Sequence, residues 1–195
     1  IMPYISSCSI ACGGHFGNRN SILETLILAK KHEIKVGAHP AYPDPENFGR
    51  KSMSLSINEL KQHLKQQFNR FIECCSLTKS SIHHMKPHGA LYNDMFVDKI
   101  PTQVFIELIE ELIPDVYIYC SPGSLLEKEC RKVGLKVKLE GFMDRVYNPD
   151  ATLRSRSLEG AVLNDLDQIE KQLMLMVTQK KVPIGADKTI DLNVQ

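Results

Sequence analysis

Tryptophan is absent from this sequence of 195 residues, and all aromatic residues together make up only 7% of it. A shortage of aromatic side chains argues against the stacking platforms on which single-stranded nucleic acids bind. Neither sign of charge is in excess, because 24 Lys and Arg residues face 23 Asp and Glu residues. A balanced charge gives no electrostatic attraction to nucleic acid or to an anionic membrane. We therefore expect neither nucleic acid nor a membrane among the partners.

Other absences concern cysteine pairs, long apolar runs and nucleotide motifs. The six cysteines form no C-x-x-C pair, which predicts reduced, mostly buried thiols in a cytoplasmic protein. No run approaches the roughly 18 apolar residues of a membrane span, so none is predicted. No glycine-rich dinucleotide motif or P-loop follows a predicted strand, which argues against those two nucleotide-binding folds.

Strand and helix patterns alternate along the whole chain. Apolar residues recur at helical spacing in some segments and form short β-branched runs in others. The predicted strands are 5–14, 34–40, 81–87, 115–121, 135–142 and 189–194, and the predicted helices are 21–33, 55–75, 101–113, 124–134 and 163–181. The alternation predicts an α/β protein with a parallel sheet, folded as a single domain over 1–195. Polar clusters directly after the strands favour a β/α barrel, in which those positions share one face.

Two histidines follow the first two predicted strands in restricted backbone. His15 lies in "CGGHFGN", where consecutive glycines let the backbone approach a ligand closely. His39 precedes a proline in "GAHPAYPDPENFGR", and this neighbour pushes it toward an extended conformation. The same loop ends in Arg50, whose guanidinium suits a carboxylate or a phosphate. Taken singly, an ordinary turn or a surface salt bridge explains each feature almost as well.

A third polar group, "HHMKPHGALYND", follows the third predicted strand. His84, Lys86 and His88 share parity along an extended chain, so we expect them to face one side up to the turn. A lysine at a strand end among histidines suits an anion. A fourth group, after the fifth strand, places Asp144 beside Arg145. A solvated charged loop is the alternative for both groups.

Together these residues, which lie at the ends of separate strands, predict a pocket like that of a hydrolase. A set of two histidines and an aspartate would bind a divalent metal ion that activates water. A site without metal, in which an aspartate or a histidine is the general base, fits the same residue types. The residues alone leave both chemistries open.

Four segments, in order along the chain, carry a family resemblance: "SIACGGHFGN", "VGAHPAYPDPENFGR", "HHMKPHGALYND" and "FMDRVYNPDATLRSRSLEGAVLND". They resemble the LamB/YcsF family of 5-oxoprolinase A subunits. The resemblance implies a distorted (β/α) barrel of about seven strands, related to the TIM-type barrels of carbohydrate deacetylases. It also implies opening of the lactam of 5-oxo-L-proline to L-glutamate, with ATP and a divalent metal such as Mg²⁺ as cofactors and subunits B and C as partners.

On this resemblance we predict a role for each candidate residue. The predicted catalytic residues are His39, Lys86, His88 and Asp144, and the predicted substrate or phosphate ligands are Arg50, Tyr92, Arg145 and Asn193. The predicted metal ligands are His15, His39 and Asp191. Lys86 and Arg145 would stabilise charge on a phosphate or an oxyanion. Asp144 would act as a base or orient a histidine.

Both ends of the chain depart from the family pattern. The family's first strand, which reads like "IDLNCDxGE", is not found before Ile1, whereas "IDLNV" at 190–194 resembles it. The family's C-terminal "ADTxxxHGD" and final helix have no counterpart here. We therefore expect a barrel that lacks or displaces these elements. Asp191 and Asn193 are predicted site residues only if the segment 190–194 takes the place of the family's first strand.

Two further functions are compatible with the sequence. The histidines also suit a metal-dependent deacetylase or amidohydrolase on the same kind of barrel, which a tight divalent ion at His15 and His39 would favour. The other alternative is a non-catalytic subunit that only binds substrate or partners, which ligand binding without turnover would favour. The sequence does not decide whether the chain forms a homo-oligomer.

Overall fold

The computed structural model describes residues 1–185 and 188–194. The strands are β1 (Ser7–Ala11), β2 (Lys35–His39), β3 (Ile82–Met85), β4 (Tyr117–Cys120), β5 (Lys136–Leu139), β6 (Lys181–Pro183) and β7 (Thr189–Asp191). The helices are α1 (Arg19–Lys31), α2 (Ile57–Thr78), α3 (Gly89–Asp94), α4 (Lys99–Leu112), α5 (Leu125–Lys132) and α6 (Leu166–Gln179), and a short 3-10 helix covers Met2–Tyr4. Every helix in these residues is too short or too polar to span a bilayer.

Strands β1 to β5 form one parallel sheet in which the spatial order follows the sequence order. Each strand is joined to the next through a helix, which is the connection that parallel neighbours need. The register places the ends of β1 and β2 level, with Ala11 opposite His39. The predicted α/β class and parallel sheet are thereby confirmed. Among the described residues β1 and β5 are the two edges, so these five strands form an open sheet.

The long helix α2 begins where the sequence predicts. The Ser56 hydroxyl accepts a hydrogen bond from the Glu59 N–H at 3.3 Å, and the Glu59 carboxylate accepts one from the Ser56 N–H at 2.9 Å. This reciprocal capping box satisfies two backbone donors that a helix start leaves unpaired. The helix ends at Lys79, which adopts the left-handed conformation with a φ of 53°.

The helices pack against the sheet and enclose its apolar side chains. Phe68 of α2 and Phe105 of α4 are fully buried, and their rings meet edge to face with centroids 5.7 Å apart. Met85 of β3 and Ile118 of β4 are buried in the same cluster. Burial of each such side chain contributes roughly 1.5–3 kcal/mol. This core holds the strands whose ends carry the site.

All six cysteines are free thiols, as predicted, and five of them are buried. Burial raises the pKa of the Cys12, Cys75 and Cys130 thiols to about 12. Because the thiolate is the reactive form, we assign these side chains to packing and not to chemistry.

Three parts of the chain differ from the predicted elements, and one of them is β6, a strand of three residues that the sequence pattern does not predict. The sequence pattern does not predict α3, because its six residues are too few to display a helical period. The predicted last strand, 189–194, is found only as β7, which pairs antiparallel with β6. The connection between β6 and β7 is shorter than the roughly dozen residues that a parallel crossover requires. This segment is therefore not a strand of the parallel sheet formed by β1 to β5.

Candidate active site

A cavity of about 910 Å³ opens at the carboxyl ends of β2 to β5. His39 is the last residue of β2, Lys86 follows β3, and Ser121 follows β4. Ligands of parallel α/β sheets and of β/α barrels bind at this edge. Six of the predicted site residues line the cavity, namely Arg50, His39, Lys86, His88, Tyr92 and Arg145.

Positive charge dominates the cavity wall. The wall contains Arg50, Lys51, Lys86, Arg145 and Arg156, and no Asp or Glu within the described residues. Cations gathered in a concave site focus a positive potential and attract anions. Guanidinium groups also match the geometry of carboxylate and phosphate oxygens. The cavity therefore suits a ligand that carries carboxylate or phosphate groups.

Three hydrogen bonds in series connect His39 and His88 to two backbone carbonyls. His39 Nδ1 lies 2.7 Å from the Lys86 carbonyl oxygen, and His88 Nε2 lies 3.0 Å from the Phe48 carbonyl oxygen. Between the rings, His88 Nδ1 lies 2.9 Å from His39 Nε2. Carbonyl oxygens only accept, so both outer nitrogens must carry hydrogen, and the contact between the rings needs a third proton. Two neutral imidazoles carry two protons, so the complete chain requires one extra proton and one positive charge.

The protein environment opposes that extra proton. Burial, and then the charge on His88, lower the pKa of His39 well below its ordinary value. Burial also lowers the pKa of His88, and Arg50 lowers it further. A ligand anion would offset the repulsion from these cations and favour the charged form of the pair. The His39–His88 pair is thus suited to take up a proton with an anion and to release it during a reaction.

His15 lies behind the cavity wall and supports the histidine pair. Its side chain is buried, its ring stacks on His88 with centroids 3.7 Å apart, and it meets the His39 ring edge-on at 5.8 Å. Burial, followed by the charges of His88 and Arg50, lowers the pKa of His15 to about 4, so the ring is neutral near pH 7. The structure places His15 as a packing partner of the other two rings, not as a lining residue.

Two glycines let the loops that carry these histidines touch. Gly49 and Gly89 both adopt the left-handed conformation, with φ of 64° and 58°. A Cβ on Gly89 would lie only 2.3 Å from the Gly49 carbonyl oxygen. That carbonyl accepts a hydrogen bond from the Ala90 N–H at 2.9 Å, in the first turn of α3. Any side chain at Gly89 would therefore push His88 away from the Phe48 carbonyl.

Gln67 of α2 holds the backbone that follows His39. Its buried side chain accepts a hydrogen bond from the Ala41 N–H at 3.0 Å and donates one to the Ala41 carbonyl at 2.8 Å. Ala41 is fully buried, so water does not replace these bonds. The helix thereby fixes the direction in which the chain leaves His39. Sequence reasoning missed this residue, for which the signal is a polar side chain on the apolar face of α2.

Replacing Gln67 by leucine should lower the free energy of unfolding by about 2–6 kcal/mol. The reason is that two buried backbone groups of Ala41 would lose their partners, at about 1–3 kcal/mol each. Gln66→Leu is the matched control, because Gln66 is the exposed neighbour on the same helix. Urea unfolding followed by circular dichroism measures both variants. An equal change in the two variants would contradict the role of Gln67.

Glu140, which sequence reasoning missed, holds Lys86. It directly follows β5, and its Oε2 lies 2.7 Å from Lys86 Nζ, with side chains 19% and 20% exposed. The Lys86 ammonium also lies 4.9 Å from the centroid of the Phe142 ring, a cation–π contact. The signal that could have found Glu140 is its position at a strand end, the same signal that identified His39.

Tyr92 of α3 lines the cavity next to this ion pair. Its hydroxyl is buried and has no hydrogen-bond partner among the described residues, and the same is true of Glu140 Oε1. Burial, and then the Glu140 carboxylate, raise the pKa of Tyr92 well above its ordinary value. The hydroxyl therefore stays protonated and acts as a hydrogen-bond donor.

Arg145 lines the cavity and also holds the loop that follows β5. It is buried, and it donates from Nε to the Ala161 carbonyl at 3.3 Å and from Nη2 to the Arg154 carbonyl at 2.7 Å. Burial, and then the charge of Arg156, lower its pKa, but a guanidinium remains charged near neutral pH. Its charge is thus fixed in place by backbone groups.

Besides His15, three predicted residues do not belong to the cavity wall. Asp144 is adjacent to Arg145 in sequence but does not line the cavity, so the structure does not support its predicted role as base. Asp191 and Asn193 are exposed, and Asp191 belongs to the hairpin of β6 and β7. Their predicted roles required the displaced strand to join the parallel sheet, which it does not.

The predicted metal set of His15, His39 and Asp191 does not assemble. Within residues 1–185 and 188–194, no three His, Cys, Asp or Glu side chains are grouped so as to hold a metal ion. Both ring nitrogens of His39 already make hydrogen bonds. The cavity wall, as far as it is described, offers no carboxylate either. The described residues therefore do not form the predicted three-residue metal site.

His84 does not share the cavity with Lys86 and His88, contrary to the parity prediction. It is fully buried, its Nε2 lies 2.9 Å from the Ser9 hydroxyl, and its ring stacks on Tyr119 at 4.2 Å. β3 ends at Met85, and Lys86 lies beyond the strand and lines the cavity, whereas His84 lies within the strand and contacts Ser9 and Tyr119. Burial, and then the charges of His83 and Lys86, lower the pKa of His84 to about 3.

His84 should make the protein less stable in mild acid. The unfolded chain has an ordinary histidine pKa of about 6.5, so it binds a proton more readily than the folded protein and stability falls as the pH drops below that value. Between pH 7 and pH 5 the loss should be about 2 kcal/mol at 1.36 kcal/mol per pH unit. We expect His84→Gln to shrink this difference in unfolding free energy by about that amount. His63→Gln on α2 is the control, and an unchanged difference in His84→Gln would refute the assignment.

Fold and cavity together define an α/β protein with a cationic ligand-binding site at the carboxyl edge of a parallel sheet. The model of the LamB/YcsF family matches residues 1–195, and the chain belongs to this family. The sequence resemblance is thereby confirmed.

Several named relatives are similar over most of their length. The chain is 36% identical over 194 residues to the 5-oxoprolinase A subunit of Pyrococcus furiosus, covering 100% of this chain and 76% of that protein. It is 38% identical over 177 residues to the 5-oxoprolinase A subunit of Acinetobacter baumannii, covering 91% and 70%. The crystal structure of a lactam utilization protein from Thermus thermophilus matches with a TM-score of 0.91 at 34% identity, covering 100% of this chain and 78% of that one.

Proposed function

We propose that this chain is the A subunit of an ATP-dependent 5-oxoprolinase, which opens the lactam of 5-oxo-L-proline to L-glutamate. The observation that carries the proposal is the cationic cavity in which Lys86 stands beside the His39–His88 pair. Relatives that share the whole chain are named as 5-oxoprolinase A subunits, and a structural relative is named a lactam utilization protein. Both names support a cyclic amide as the substrate class.

The chemistry of a lactam explains the charges in the cavity. Resonance makes the amide a poor electrophile, and ATP, when bound, supplies a phosphoryl group that activates the carbonyl oxygen. Arg50, Arg145 and Arg156 are the residues that would hold phosphate and the substrate carboxylate. Lys86 would stabilise the negative charge that develops on the oxygen. These cations fit an anionic ligand of this kind.

The His39–His88 pair supplies the proton chemistry in this proposal. Ring opening requires a base for the attacking water and an acid for the departing nitrogen. The pair lies on the cavity wall, and completing its hydrogen-bond chain requires one extra proton, which a bound anion would favour. It thereby replaces Asp144 as the proposed base, since Asp144 does not line the cavity.

We propose subunits B and C as partners and the cytoplasm as the location. The relatives are named as A subunits, which supports a complex of several different subunits. The six free cysteines support a reducing compartment. Since no nucleotide motif occurs in the sequence, the partners would supply part of the nucleotide site.

The test is glutamate release from 5-oxoproline with and without ATP, and with and without subunits B and C. The proposal predicts release that needs both ATP and the partners. Release of glutamate or acetate without ATP but with an added divalent metal would favour the amidohydrolase alternative instead. Binding of 5-oxoproline with no turnover in any combination would leave a subunit that only binds.

A further inference from the structure

Among the ion pairs of the described residues, Lys86 is the cation of the cavity wall that has a carboxylate partner. The Lys86–Glu140 contact of 2.7 Å is four-fifths buried, so water screens it less than an exposed pair. A ligand anion that binds the Lys86 ammonium must therefore compete with Glu140 for it.

The second carboxylate oxygen of Glu140 can accept a further hydrogen bond. Its Oε2 holds Lys86, whereas Oε1 is buried without a hydrogen-bond partner among the described residues. The hydroxyl of Tyr92 is buried and likewise makes no complete hydrogen bond among the described residues. The Tyr92 ring meets the ring of Phe142 edge to face at 5.8 Å, and Phe142 also contacts the Lys86 ammonium, so Tyr92 lies beside the ion pair. The Glu140 carboxylate and the Ser121 side chain both affect the pKa of Tyr92. Glu140 Oε1 is an acceptor and the Tyr92 hydroxyl is a donor. A buried donor and a buried acceptor that lack partners are costly apart and stabilising together.

We propose that Glu140 is a positioning residue that acts through Lys86. When no ligand anion is bound, Oε2 of Glu140 holds the Lys86 ammonium. When a ligand anion binds the ammonium instead, the Glu140 carboxylate accepts a hydrogen bond from the Tyr92 hydroxyl. Glu140 thus directs Lys86 toward the reacting oxygen and keeps stray anions from occupying it. The inference rests on the proposed anion-binding role of the cavity and goes beyond it by naming the residue that controls access to Lys86.

Titration of the full chain with inorganic phosphate, followed by calorimetry, tests this inference without requiring turnover. Glu140→Gln keeps the shape but removes the competing charge, so phosphate should bind about five-fold tighter than to the parent protein. In the Lys86→Met background the same change should have no effect, since the two residues act as a unit. Tyr92→Phe should weaken phosphate binding about three-fold, because the Glu140 carboxylate then has no second partner. In the Glu140→Gln background, Tyr92→Phe should leave phosphate affinity unchanged.

Glu107→Gln is the matched control, because Glu107 pairs with Lys61 at 2.8 Å on the surface between α2 and α4. It should leave phosphate affinity unchanged. With the partner subunits, Glu140→Gln should lower kcat about tenfold with less than about a twofold change in KM. This kcat is counted per folded protein, with the folded fraction measured by circular dichroism, so that loss of folded enzyme is not mistaken for loss of kcat. Unchanged phosphate affinity in Glu140→Gln, or an effect that persists in Lys86→Met, would overturn the inference. Absence of glutamate release by the parent protein would instead refute the proposed reaction and leave the phosphate result standing.

Discussion

Replacing Lys86 by methionine should lower glutamate release by at least about 10²-fold, the usual effect of removing one group that stabilises an oxyanion. Methionine keeps an unbranched stem of similar volume in the contact with Phe142 and removes only the charge. The loss should appear in kcat, since the ammonium acts on charge that develops in the reaction. Steady-state assays with ATP and the partner subunits measure it. Turnover within a few-fold of the parent protein would refute the assignment of Lys86.

Two controls separate chemistry from stability in this experiment. Lys86→Met leaves the Glu140 carboxylate without its partner, which by itself destabilises a partly buried site. The double variant Lys86→Met with Glu140→Gln should therefore regain stability but no activity. Lys61→Met removes a lysine from an ion pair of almost the same length on the surface, and it should leave turnover unchanged.

Replacing Phe68 by alanine should lower the free energy of unfolding by about 3–5 kcal/mol. Phe68 is fully buried and meets Phe105 edge to face, so truncation opens a cavity between α2 and α4 and removes an aromatic contact. Against a typical total of about 5–15 kcal/mol, this is a large fraction of the stability. Urea unfolding should show a lower midpoint with an unchanged slope.

The matched control for this change is Phe16→Ala, because the Phe16 side chain is 66% exposed. It should shift the free energy of unfolding by less than about 0.5 kcal/mol. If Phe68→Ala does not fold, Phe68→Leu leaves a smaller cavity and should show a smaller loss in the same direction. A loss below about 1 kcal/mol in Phe68→Ala would contradict the core packing between α2 and α4.

Much of the cavity wall could be predicted from the sequence because of where polar residues occur. His39 and Lys86 each precede a proline at the end of a parallel strand, and Arg50 and His88 lie in the loops that follow. All carboxyl ends of a parallel sheet meet at one edge, so residues at these positions are near one another whatever the details of packing. The structure places all four in the wall.

Other assignments failed because they depended on distant pairing. Asp191 lies in a hairpin with β6, and no local pattern distinguishes that hairpin from a strand of the main sheet. His84 shares parity with Lys86, but His84 lies within β3 and Lys86 lies beyond its end, and the two side chains contact different residues. Gln67 was missed because it stands in no motif and its importance comes only from what it contacts. Glu140 stands at a strand end, but its importance comes only from its contact with Lys86.

The sequence by itself determined the alternation of strands and helices, the start of α2 at its capping box, and the strand ends at which polar residues gather. These features depend on residues within a few positions of each other, so periodicity and backbone restriction suffice to predict them. Only the tertiary structure decided which side chains meet. Lys86 and Glu140 are 54 positions apart, His39 and His88 are 49 apart, and each pair is brought together by the packing of strands and loops, which no local pattern encodes.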